Sequence, residues 1–140
     1  MSNLNLSGSC LCGSIAYEIS GTSRAFFHCH CSRCRKASGT GHASNIILTP
    51  KSVKWTAGEH LLKSYKVPEA RRFTTAFCSN CGSSMPRVAP DHSIAVVPAG
   101  TLDTDPGLRP QARIMGGSRA TWSCDDSELP VFETYPPTTA

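Results

Sequence analysis

Three short clusters of cysteine constrain this chain more than any other feature: Cys10-Leu-Cys12, Cys29-His-Cys31-Ser-Arg-Cys34 and Cys78-Ser-Asn-Cys81. Residues two apart on a strand point to the same face, with Cα atoms about 6.5–7 Å apart. Two thiolates so placed can converge on one ion at Zn–S distances of about 2.3 Å. A C-x-x-C turn achieves the same from a loop. Gly13 and Gly82, directly after Cys12 and Cys81, suit the positive φ such turns often need. The competing use of cysteine is the disulfide. Met1 to Cys10 shows no cationic segment leading into an apolar run, so no signal peptide is expected, and metal thiolates in the cytoplasm are the better reading. No apolar stretch reaches spanning length, so no transmembrane helix is expected either.

Ligand counting divides the seven thiols. Structural zinc takes four protein ligands, whereas catalytic zinc takes three and keeps one position for water or substrate. Cys10, Cys12, Cys78 and Cys81 supply four and would clamp the N-terminal turn to the middle of the chain. Cys29, Cys31 and Cys34 supply three. If Cys29 and Cys31 face an ion from a strand, His28 and His30 project from the opposite face, as packing or supporting residues. Three other arrangements remain open. His30 coordinates if the segment is a loop. His42 or His92 could complete a closed Cys₃His site. Cys31 and Cys34 could form a redox dithiol, although no βαβ pattern surrounds them. Cys124 has no partner nearby and reads as an ordinary free thiol.

The rest of the chain points to β-structure. At 140 residues it fits a single domain, 1–140, and 39% hydrophobic content with 11 Gly and 10 Pro favours short strands and many turns. Strands are predicted at Ser14–Ile19, Ala25–Cys31, Ser44–Leu48 (ended by Thr49-Pro50), Leu61–Lys66, Arg72–Phe77, Ser93–Val97 and Arg113–Met115. A turn or short helix should follow Ser32. The tail from Leu129, with three prolines, is expected to be mobile at its end. The formal charge of +4 suggests a polyanion partner at first sight. Losing seven thiol protons and gaining two divalent ions would bring that +4 to +1, so binding to nucleic acid is the weakest of the readings.

The segments "GSCLCGSIAYEI", "HCHCSRCRKASG", "FCSNCGSSM", "AGTLD" and "W…LPVFE" resemble, in order, the glutathione-dependent formaldehyde-activating enzymes and the related centromere protein V domains, over about residues 8–133. The resemblance implies a mainly β, Mss4-like fold of antiparallel sheets stapled by two zinc ions. It implies structural zinc at Cys10, Cys12, Cys78 and Cys81, and catalytic zinc at Cys29, Cys31 and Cys34. The implied activity is that of a carbon–sulfur lyase, joining glutathione and formaldehyde into S-hydroxymethylglutathione. Three thiolates leave such a zinc unit at −1, which weakens it as a Lewis acid and favours a role in binding the thiol. Arg33, Arg35 and Lys36 could attract the carboxylates of a glutathione-like thiol, or could simply be solvated. Trp122 and Phe132 could line an apolar wall or pack in the core. One departure stands out: where the family often has histidine, this chain has Arg113, which cannot serve as a neutral base. The alternative to an enzyme is a non-catalytic zinc module that binds a thiol metabolite or a protein partner.

Overall fold

The structure is a computed structural model and describes residues 2–123 and 128–137. Its scaffold is the pairing of two long strands, β2 (Ala16–Cys29) and β3 (Ala43–Ala57), which run antiparallel along their whole length. One edge of β2 is thus occupied by β3. The other edge takes β1 (Asn3–Ser9) antiparallel against Ala16–Thr22, and further along β9 (Ala112–Ile114) parallel against Phe27–Cys29. Beyond β3 the sheet continues through β8 (Ala95–Pro98) to β7 (Arg87–Val88). A second sheet contains β4 (Leu62–Lys66), β5 (Thr74–Cys78) and β6 (Ser84–Met85). The helix α1 (Ser32–Ser38) joins β2 to β3. The result is the mainly β, largely antiparallel architecture implied by the resemblance, with β2–β9 as a parallel pair.

Alternation along the strands explains the core. Leu4 and Leu6 on β1, Tyr17 and Ile19 on β2, Ile46 and Leu48 on β3, and Ala95 and Val97 on β8 are all buried on one cluster. Ala76, Cys78 and Met85 join it from the second sheet. Each large aliphatic residue so placed contributes about 1.5–3 kcal/mol relative to exposure.

Several strand boundaries differ from the sequence reading. Ser14–Ile19 and Ala25–Cys31 overlap one strand, β2, which starts at Ala16 instead of Ser14 and ends at Cys29 instead of Cys31. Register shifts at Ser20/Gly21 and Ser23/Ala25 let β2 continue through its polar middle. Ser44–Leu48 does not stop at Thr49-Pro50, because β3 continues to Ala57. Pro50 is accommodated since β8 pairs only with Asn45–Leu48, leaving that edge of β3 without a partner, and since Gly21 opposes Pro50 next to the register shift. The strand β1 had no counterpart in the sequence reading. Trp122 and Phe132 are 69% and 48% exposed, so neither packs in the core, which the strand aliphatics fill. Cys124 lies outside the described residues.

Candidate metal centres and the cavity beside one of them

Two turns of the same design bring four cysteines together. The chain leaves β1 into Cys10–Gly13, where Gly13 N–H donates to the Cys10 carbonyl at 3.0 Å. It leaves β5 into Cys78–Gly82, where Gly82 N–H donates to the Cys78 carbonyl at 2.7 Å. Both glycines have φ +78°, in the left-handed region that disfavours a side chain. The four sulfurs lie within 4.8 Å of one another. Cys10 and Cys12 Sγ are 3.6 Å apart, and Cys12 and Cys78 Sγ 4.0 Å. Four sulfurs at 2.3 Å from one tetrahedral ion are spaced by about 3.8 Å, so the group fits a zinc-sized, thiophilic metal.

Hydrogen bonds reach several of these sulfurs, and at Cys12 and Cys81 they favour the anionic form. Ile15 N–H donates to Cys10 Sγ and Asn80 Nδ2 to Cys12 Sγ, both at 3.2 Å. Ser14, with Asn80 adding to it, lowers the Cys12 thiol to about 7. Ser83 pulls the Cys81 thiol down to about 5. Cys10 and Cys78 are buried, and this group adjoins the core.

The other three cysteines meet where β2 turns into α1. Cys29 ends β2 opposite Ala43, Cys31 caps α1, and Cys34 lies in the first turn of that helix. Their sulfurs also lie within 4.8 Å of one another. Cys31 Sγ accepts from Cys34 N–H at 3.3 Å, so the thiol itself is the helix cap. Burial drives the Cys34 thiol well above the ordinary range, and its sulfur neighbours Cys31 and Cys29 push it further. Burial also opposes ionisation of Cys31, but the Cys34 backbone N–H and the neighbouring thiols outweigh it and carry that thiol down. Among the described residues no fourth Cys, His, Asp or Glu joins this trio.

The histidines form their own arrangement. His28 opposes Ser44 in the β2–β3 register, which places His30 next to His42 just beyond the paired ends. The His28 and His42 rings stack at 4.0 Å, and His30 tilts against His42 at 5.1 Å. His30 is 1% exposed, and neither ring nitrogen has a hydrogen-bond partner. Burial, with His42, Arg113 and Arg119 adding to it, lowers its pKa. Neither His30, His42 nor His92 belongs to the sulfur group; His92 occupies a turn at φ +58°. Arg113 pairs in register with His28.

A cavity of about 590 Å³ opens beside the trio, with Cys34 in its lining and the four-cysteine group absent from it. It is walled by β3, by β5 and β6 of the second sheet, and by β7 and β8. Its cations are Arg72 and Arg87. Arg33, Arg35 and Lys36 do not line it: Arg33 and Lys36 are exposed on α1, and Arg35 is half-buried with an unpartnered Nε. Sequence proximity to the cysteines suggested the helix cations, while the packing of the second sheet on the first supplies the cavity's own. His42, also in the lining, was named in the sequence only as a possible ligand.

A mainly β chain with one set of four cysteines and a second set of three beside a cavity has two places that could each hold a metal ion. The sequence profile described as glutathione-dependent formaldehyde-activating enzyme matches residues 5–118, and the chain belongs to that family. A crystal structure of a Rhodobacter sphaeroides protein, determined by structural genomics, is similar in fold at a TM-score of 0.58. Identity to it is 20%, over 77% of this chain and 98% of that one. No curated protein matches the chain.

Proposed function

We propose that residues 1–140 act as one domain, a zinc-dependent carbon–sulfur lyase that joins a glutathione-like thiol to a small aldehyde in the cytoplasm. The observation that carries the reading is the double role of Cys34, which belongs to the three-sulfur group and lines the cavity. All seven described cysteines are free thiols, in keeping with a reducing compartment and two zinc ions per chain. Zinc held by Cys29, Cys31 and Cys34 would offer a position for the substrate sulfur and favour its thiolate. In the reaction a carbon–sulfur bond forms, the carbonyl π bond breaks, and the thiol proton ends on the former carbonyl oxygen. His42, whose Nδ1 lies 3.3 Å from Ser44 Oγ at the cavity wall, is placed to hold that proton in transit. Arg113 favours the second reading, a non-catalytic module for a thiol metabolite or protein partner, because it stands where relatives often carry histidine.

The test is thiol–aldehyde exchange measured by NMR. Cys31→Ser is the right variant because serine is itself a good helix cap, so α1 should survive while one sulfur is lost. The expected result is accelerated exchange by the native chain and loss of nearly all of it in the variant. Calorimetric thiol binding without any acceleration in the native chain would select the module instead.

A further inference from the structure

His42 and Ser44 lie two residues apart where β3 begins, and both line the Cys34 cavity. Alternate residues of a strand share a face, and here the spacing brings Ser44 Oγ to 3.3 Å from His42 Nδ1. The ring is confined on other sides as well. It stacks on His28 at 4.0 Å with 12° between the planes, and His30 tilts against it at 5.1 Å. The main chain of His42 is braced by Thr40, another lining residue, whose hydroxyl donates to the His42 carbonyl.

Neutral imidazole carries hydrogen on one nitrogen and a lone pair on the other, and the partner of one nitrogen decides which. Two arrangements could satisfy this pair. Ser44 could donate to a bare Nδ1, leaving hydrogen on Nε2, or accept from Nδ1–H, leaving Nε2 with its lone pair. Hydroxyl-donated bonds run to about 3.0 Å and N–H···O bonds to about 3.2 Å, so a 3.3 Å contact fits the second better. Proton transfer favours it too. A group that takes a thiol proton and delivers it to a carbonyl oxygen must start with a lone pair available to the ligand. With Nδ1 engaged by Ser44, Nε2 is the nitrogen left for that work.

We infer that Ser44 is a positioning residue: it holds His42 in the Nδ1–H tautomer and leaves Nε2 to take and return the substrate proton. The second half rests on the reading of the cavity as a thiol–aldehyde site, whereas the tautomer is measured without turnover. NMR correlating ring protons with ring nitrogens distinguishes a protonated nitrogen from a bare one. It is applied to the zinc-loaded chain at about pH 8, where ordinary imidazole is neutral. The His42 signals are assigned by their loss in His42→Gln. The native chain is expected to carry hydrogen on Nδ1 of His42. Ser44→Ala is expected to move it to Nε2, the form favoured by histidine in water. Ser44→Thr, which keeps the hydroxyl and suits a strand, is expected to retain it on Nδ1. In exchange measurements Ser44→Ala is expected to lower the maximal rate at least about tenfold at unchanged thiol affinity, with recovery in Ser44→Thr. Hydrogen on Nε2 in the native chain, or a tautomer unmoved by Ser44→Ala, would overturn the inference. So would a maximal rate untouched by Ser44→Ala when the native chain does accelerate exchange. A Ser44-dependent Nδ1–H tautomer in a chain without exchange activity would uphold Ser44 as the positioning residue and remove the proposed enzyme activity.

Discussion

Tyr17 shows how one side chain ties the N-terminal half to the later part of the chain. It is buried in the core and its hydroxyl meets Thr101 Oγ1 at 2.6 Å. Burial raises its pKa to about 12, with the Thr101 hydrogen bond opposing. Because the folded value exceeds the unfolded value of about 10, the phenol's contribution is fully present below pH 10 and lost as pH rises towards 12. The loss should be of order 2 kcal/mol. Tyr17→Phe is expected to cost about 1 kcal/mol at pH 8 and to flatten alkaline unfolding, as read by urea denaturation at a series of pH values. An alkaline limb as steep as the native one would show that Tyr17 does not carry it. At this scale the sequence was informative about sulfur and uninformative about charge. Spacing within each cysteine cluster is local and could be read directly, and ligand counting joined the two pairs that lie 66 residues apart. Arg72 and Arg87 reach the Cys34 cavity through contacts between sheets, and nothing next to Cys34 in the sequence points to them.

Cys78 marks the joint between elements. It ends β5, is 0% exposed, and its sulfur lies 4.0 Å from that of Cys12, 66 residues earlier. The turn after β1 and the turn after β5 therefore meet through sulfur. Cys78→Ser is expected to lose one metal ion per chain and to lower the melting temperature well beyond the effect of Cys31→Ser, whose group lies beside a cavity. Metal analysis with parallel thermal melts would decide it, and equal destabilisation by the two variants would contradict the division of roles. Among the elements, α1 was read only as a turn or short helix after Ser32, since its cap is Cys31, which the sequence placed in a strand. β3 was read as too short, since Pro50 ends a strand unless an unpaired edge receives it. β1 carries a clear alternation at Leu4 and Leu6, and its signal was overshadowed by the cysteines that follow.

The whole molecule rests on one core shared unequally by two sheets. β1, β2, β3 and β8 supply most of it, while β5 and β6 contribute Ala76, Cys78 and Met85. A metal held by Cys10, Cys12, Cys78 and Cys81 would therefore be a main tie for the smaller sheet. Chelation at neutral pH is expected to expose the β4–β6 amides to hydrogen exchange first, while β2 and β3 stay protected. Uniform loss of protection would mean that the metal holds both sheets equally. The mainly β class was legible from turn residues and alternation. The cavity between the sheets was not, because it is formed by residues from α1 to Thr101 that only the folded chain assembles.

The central claim is that the two sulfur groups differ by one ligand: one closed by four cysteines, the other open at the Cys34 cavity. X-ray absorption at the zinc edge counts sulfur neighbours directly. The expected result for the zinc-loaded chain is an average below four sulfurs per zinc, rising to four when a thiol is added. Four sulfurs per zinc before any thiol is present, or no change on its addition, would contradict it.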